Sequence, residues 1–298
     1  MNVLHAIRAG LALTLIAINT VLLCIPLYLL TLVKLALRSP RAQVTLSRAL
    51  VAIAETWMSI NNAIITVISL TPVTLEGAEG LSKKDWYLVT ANHQSWADIL
   101  VLQRVFNRRI PMLKFFLKQD LIKVPVLGHA WWALDFPFMQ RHSRAELEKN
   151  PELRHQDLEA TRRACAKFAH FPTSVMNFFE GTRFDQAKHD QQQSPYRHLL
   201  KPKAGGTAFA LHAMGGKLGT LLDVTILYPR NRPRTLTAFL GGAMSKVEVI
   251  VVQRPIPAWA AQGDYDGDAE FRARFQAWIS DMWAEKDALI EARQNRSA

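Results

Sequence analysis

Between Arg8 and Lys34 the chain carries 25 consecutive uncharged residues, AGLALTLIAINTVLLCIPLYLLTLV. As a helix this run reaches about 37 Å at about 1.5 Å per residue, enough to cross a bilayer. A cleaved signal peptide would have an apolar region of about 7 to 15 residues followed by a small-residue cleavage site. This run is longer and no such site follows it. The expectation is a retained membrane helix, although Pro26 leaves open one that dips into a single leaflet and returns.

Flanking charge orients the segment. Lys34, Arg38, Arg41 and Arg48 follow it, whereas only Arg8 precedes it, so the remainder of the chain is expected on the cytoplasmic side. A second uncharged stretch, TWMSINNAIITVISLTPVTL (56–75), contains Asn61, Asn62 and Pro72, which suit a spanning helix poorly. It predicts an interfacial helix lying against the first. Residues 1–75 therefore read as a membrane-anchoring helical segment, and 76–298 as a catalytic domain.

From about residue 85 the pattern is that of an α/β domain. WYLVTA (86–91), SVMNFFE (174–180), DVTILY (223–228) and VEVIVV (247–252) are short apolar runs of the kind found in buried strands. Helical stretches at 145–171 and 268–294 lie among them, the second with Phe271, Phe275, Trp278, Met282 and Leu289 at near-helical spacing. The expected fold is a central, mostly parallel sheet flanked by helices. The polar segment DQAKHDQQQSPYRHLLKPK (185–203) reads as a loop.

The formal charge of +11 favours an anionic partner: phospholipid, a phosphorylated substrate or nucleic acid. No Lys/Arg stripe with interleaved aromatics points to nucleic acid. Cys24 and Cys165 are far apart and form no CxxC pair, which argues against a disulfide framework or a zinc site. No metal or cofactor is expected.

The chemistry starts at ANHQSWADI (91–99), where His93 and Asp98 stand with four residues between them just after a strand. A carboxylate can fix the histidine tautomer and support its charged form, as a general base requires. A second strand-end turn, FFEGTRFD (178–185), offers a glycine and Arg183. A third, DFPFMQR (135–141), ends in Arg141. Arginine has a donor fork suited to phosphate oxygens, and glycine admits close backbone approach. Neither GxSxG nor HExxH occurs, which weighs against a serine hydrolase or a zinc peptidase.

NHQSWAD followed by FEGTR resembles the NHx4D and EGTR blocks of the glycerolipid acyltransferases that include 1-acylglycerol-3-phosphate acyltransferase. The resemblance spans about residues 85–230. LKQDLIKVPVLGHAWW (117–132) is similar to the family's K-x-x-L-x-x-x-P-x-x-G block and places Lys118, Leu121, Pro125 and Gly128. DFPFMQR and TILYP (225–229) resemble two further blocks. Asp135 stands where many members have glycine, and Phe179 where the usual proline precedes EGTR. The long segment after EGTR is closer to the bacterial inner-membrane branch, similar to lysocardiolipin-type enzymes.

What the resemblance implies is acyl transfer to the sn-2 hydroxyl of a lysophospholipid, with His93 as base and Asp98 as its orienter. Lys118, Arg141 and Arg183 would bind the acceptor phosphate and Gly181 would let the backbone come close to it, with Glu180 positioning Arg183 or the acceptor glycerol and Thr182 completing the EGTR turn. The donor would be an acyl-CoA or acyl carrier protein thioester, and membrane phospholipid the surroundings, at the bacterial inner membrane facing the cytoplasm. Other lysolipids, lysophosphatidylglycerol or lysocardiolipin, are alternative acceptors. A silent, basic lipid- or nucleic-acid-binding protein is the rival from another class. Trp131, Trp132 and Phe138 are candidates for lining an acyl channel, and core packing explains them equally well.

Overall fold

The computed structural model describes residues 2–37, 39–139, 171–230 and 232–296. The uncharged run lies within α1 (Val3–Ala36), whose N-cap Asn2 accepts the His5 N–H at 3.0 Å. Helix α2 (Pro40–Ser69) opens on a proline, tolerated there because the first-turn N–H has no helical partner. It begins well ahead of the 56–75 stretch and packs along α1 as expected.

Polar residues join the pair. Asn19 Nδ2 donates to Asn61 Oδ1 at 2.8 Å, and Trp57 Nε1 donates to Thr20 Oγ1 at 2.9 Å. Pairing across the helices lowers the cost of placing such side chains in lipid. Both helices are long and apolar enough to cross a membrane. Leu4, Ile7, Leu22, Leu29 and Leu32 are exposed along α1, an apolar surface that associates with membrane.

The helices also belong to the sheet domain's core. Ala9, Ala12 and Ile65 pack in the same cluster as Val89 and Val224, and His5 Nδ1 hydrogen-bonds the Gly241 carbonyl at 2.8 Å. The first strand, β1 (Val73–Glu76), pairs in the sheet directly after α2.

In chain order there follow β2 (Tyr87–Ala91), α3 (Ala97–Phe106), β3 (Leu113–Phe115), β4 (Leu117–Lys118), α4 (Leu127–Ala133) and β5 (Phe138–Met139). Beyond residue 170 come β6 (Ser174–Met176), α5 (Gln186–Gln192), α6 (Gly205–Ala213) and β7 (Thr220–Leu227). The chain closes with α7 (Leu236–Leu240), β8 (Val247–Pro255) and α8 (Ala269–Arg296). The main sheet has the order β1-β8-β7-β2-β6-β3, parallel at every junction except β7–β8. Strand β2 is buried at all five positions, the reason its sequence is continuously apolar rather than alternating. Its odd residues Tyr87, Val89 and Ala91 face the core under α3 and α1, while Leu88 faces the core under α6 and α8.

Two expectations shift in detail. The segment after EGTR is not all loop: Asp185 Oδ1 accepts the Ala187 N–H at 2.9 Å and starts α5. Along α8 the buried residues are Phe275, Ile279, Met282, Trp283, Lys286 and Ile290, with Phe271, Trp278 and Leu289 half-buried at the edge of that core. Residues 145–170 of the expected helix, with Cys165, lie outside the described residues, as does Arg141.

Candidate active site

Three adjacent parallel strands, β6, β2 and β7, deliver the candidate residues at their C-terminal ends, the edge at which open α/β sheets bind ligands. Past β2, Asn92 uses its amide as a strand would use its backbone. Its Nδ2 donates to the Ile226 carbonyl at 2.9 Å and its Oδ1 accepts the Ile226 N–H at 2.8 Å. This anchors the turn that carries His93.

Asp98 sits in the first turn of α3 and is fully buried. Its Oδ2 accepts His93 Nδ1–H at 2.7 Å and the N–H groups of Gln94 and Ser95 at 2.7 and 2.9 Å. Its Oδ1 accepts the Tyr228 hydroxyl at 2.6 Å. Four donors and a helix N-terminus suit a carboxylate in its charged form. Burial, reinforced by the Asp98 charge, holds the Tyr228 hydroxyl protonated well above its ordinary range. With Nδ1–H given to Asp98, the basic nitrogen of His93 is Nε2. The imidazole lies face to face with Phe178, ring centroids 4.0 Å apart and planes at 15°.

The EGTR turn is tied to this loop twice: His93 N–H donates to Glu180 Oε1 at 3.1 Å, and Phe184 N–H to the His93 carbonyl at 2.6 Å. Glu180 is fully buried and braces the His93 loop through the first of these bonds. Burial is the main cause that raises its carboxyl to about 8. Gly181 has φ +68, a conformation favouring glycine, and a Cβ there would meet the stem of Lys203 at 3.2 Å. Arg183 is exposed, its guanidinium 4.4 Å above the ring of Trp96, itself 58% exposed. Lys188 Nζ donates to Thr182 Oγ1 at 3.0 Å and to the Arg183 carbonyl at 3.2 Å. Arg183, Lys188 and Lys203 thus surround one turn with positive charge. Arg234 Nη1 reaches Gln94 Oε1 at 2.9 Å on the β7 side.

Lys118 is exposed on β4, in the separate two-stranded sheet, rather than on this turn. It pairs in register with Met139, two residues before Arg141, which is outside the described residues. Gly128 in the same block is required by space, since a Cβ would stand 2.1 Å from the Ile122 carbonyl oxygen. Both family departures have physical accounts. Asp135 has φ +59, a backbone suited to glycine, and its Oδ2 is 3.2 Å from Lys34 Nζ at the end of α1. Phe179 fills the core against Trp283, ring centroids 5.6 Å apart.

On its other side His93 borders an apolar cavity of about 350 Å³. Leu27 of α1, Met58 of α2, Leu100, Phe115, Trp131 and Phe178 are among its lining residues. Trp131 therefore fits the channel expectation, whereas Trp132 is 43% exposed and neither it nor Phe138 is among the lining residues. No group of three or more His, Cys, Asp and Glu side chains suited to a metal occurs among the described residues. The sequence reading missed Tyr228, Lys188, Arg234 and Phe178. Tyr228 alone had a signal, as the residue following β7 within TILYP.

The acyltransferase family model matches residues 72–229. The 1-acyl-sn-glycerol-3-phosphate acyltransferase gamma of Mus musculus is 26% identical, covering 70% of this chain and 53% of the relative. Lysocardiolipin acyltransferase 1 of Gallus gallus is 23% identical, covering 80% and 61% respectively. The chain spans less than two thirds of the length of either relative. The crystal structure of the 1-acyl-sn-glycerophosphate acyltransferase PlsC from Thermotoga maritima aligns at 18% identity and a TM-score of 0.49, covering 93% of this chain and 98% of that one.

Proposed function

This chain belongs to the acyltransferase family, and from that premise we propose that it moves a fatty acyl group from a thioester to the sn-2 hydroxyl of a lysophospholipid, 1-acylglycerol-3-phosphate in the first instance. The observation that carries this reading is the position of His93, bonded to buried Asp98 at 2.7 Å and standing between an apolar cavity and a cationic turn. The cavity suits an acyl chain and the turn a phosphate.

In this mechanism His93 Nε2 takes the hydroxyl proton as the oxygen attacks the thioester carbonyl. Asp98 stabilises the resulting imidazolium, and Tyr228 and the two amides keep Asp98 aimed. Collapse of the tetrahedral intermediate forms the ester, breaks the carbon–sulfur bond and returns the proton from His93 to the departing thiolate. Because the acceptor alcohol attacks directly, no enzyme nucleophile is used. General-base help of this kind is worth about 10²- to 10⁴-fold. Arg183 and its neighbours hold the acceptor phosphate, and Lys118 of β4 is a further cation offered to it.

The exposed apolar faces of α1 and α2 support work at a membrane surface, where the acceptor arrives by lateral diffusion. The basic residues after Lys34 support a cytoplasmic orientation at a bacterial inner membrane, with acyl-CoA or acyl carrier protein as donor. The relative named lysocardiolipin acyltransferase favours a second acceptor class, lysolipids with phosphodiester headgroups. Purified full-length protein assayed with acyl-CoA against lysophosphatidic acid, lysophosphatidylglycerol and lysocardiolipin tests both. Fastest turnover of the first is expected; transfer to none of them would end the proposal.

A further inference from the structure

Arg183 is fixed at its backbone and open at its head. Its carbonyl accepts Lys188 Nζ at 3.2 Å, and the N–H of the next residue, Phe184, donates to the His93 carbonyl at 2.6 Å. Among the described residues the guanidinium forms no hydrogen bond or ion pair; it lies 4.4 Å above the ring of Trp96.

Trp96 stands inside NHQSWAD, between the general base and its orienter, yet its side chain is exposed and belongs to none of the hydrophobic core clusters. Its backbone, by contrast, is pinned on both sides. The N–H groups of Gln94 and Ser95 donate to Asp98 Oδ2 at 2.7 and 2.9 Å, and the Ala97 N–H donates to Ser95 Oγ at 3.1 Å. A large aromatic ring that fills no core and rises from a rigid turn can serve as a shelf.

The kind of contact decides what the shelf leaves available. An ion pair would occupy the donors of the guanidinium, whereas an aromatic face attracts the cation and leaves its N–H edge open. Without the ring, a long side chain on an exposed turn would have to be ordered each time a ligand arrived. Resting on Trp96, Arg183 is ordered beforehand and keeps its five donors for an anion.

We propose that Trp96 is a positioning residue for the acceptor: it holds the Arg183 guanidinium ready for the phosphate of the lysophospholipid. The inference rests on the acyl-transfer reading. Trp96 rises from the same turn as His93 and Asp98, so the phosphate seat and the general base are referred to one pinned stretch of backbone.

The test is a double-mutant cycle in acceptor kcat/KM, with wild type, Trp96→Ala, Arg183→Ala and the double variant, and with Trp96→Phe as the conservative control. Circular dichroism checks folding, which loss of an exposed indole should leave intact. Trp96→Ala should raise the acceptor KM about two- to fivefold, with kcat and the donor KM near wild type, and Trp96→Phe should recover most of that loss. Once Arg183 is gone, Trp96→Ala should have no further effect, because the shelf then holds nothing. Each variant is assayed with a short-chain, water-soluble lysophosphatidic acid and with vesicle-borne acceptor. The same loss in both backgrounds would overturn the proposal, as would an effect confined to vesicles, which would make Trp96 a membrane contact. No transfer by the wild type to any lysolipid would overturn the reaction assignment, and this proposal with it.

Discussion

The two sides of His93 recognise by different physics. On one side, α1, α2, α4 and the strand ends enclose a cavity whose lining is almost wholly apolar. On the other, residues 180–183 form a turn with a left-handed glycine, an exposed arginine and two lysines packed close to it. Apolar burial is non-directional and graded by area, so the cavity would measure a chain methylene by methylene. Hydrogen bonds to phosphate are directional, so the turn would accept or refuse a headgroup. His93 belongs to neither side and serves whatever both have placed.

Removing the shared centre should have the largest effect. His93→Ala should lower kcat by at least about 10²-fold with both substrate KM values near wild type, checked on protein shown by circular dichroism to be folded. A variant keeping a tenth of wild-type turnover would break the comparison at its middle. Next comes the polar side: Arg183→Lys keeps the charge but loses the fork, and should cut acceptor kcat/KM by roughly 10- to 150-fold. The donor KM should not move; if it rose instead, the turn would be a donor site.

Tyr228→Phe tests the frame rather than either side. It leaves Asp98 Oδ1 without its hydroxyl donor in a buried site, a loss of about 1 to 3 kcal/mol. Turnover should fall by about tenfold at unchanged KM values, measured by steady-state kinetics with both substrates varied. The smallest effect belongs to the cavity. Ala130→Leu extends into it by three carbons, and each methylene displaced is worth about 0.8 kcal/mol. In competition, the preference between donors two methylenes apart should swing toward the shorter by on the order of tenfold. An unchanged chain-length profile would mean that the acyl group lies elsewhere.

Much of the polar side was legible in sequence because its residues are local. His93 and Asp98 share one turn and one helix start, so six residues of chain contain the pair and its geometry. Gly181 and Arg183 likewise share a turn. Glu180 was visible as a residue but not as a buried brace, since its burial and its bond to the His93 N–H join residues 87 positions apart. The cavity was the less legible side. Its walls come from residues as far apart as Thr20 and Phe178, and an apolar residue at helical spacing looks the same whether it lines a void or fills one.

By itself the sequence determined the uncharged helix, the buried strands and the strand-end turns, because each follows from a pattern within a few residues: an unbroken apolar run, a β-branched cluster, a glycine beside polar groups. Only the tertiary structure decided that α1 and α2 wall the cavity beside His93 as well as facing outward, that Tyr228 completes the hold on Asp98, and that Glu180 holds the His93 main chain. Those relations join residues dozens to hundreds of positions apart. They arise from strand order, which sets β7 beside β2 and brings α8 across their common face, and strand order is a property of how whole elements pack rather than of any local stretch.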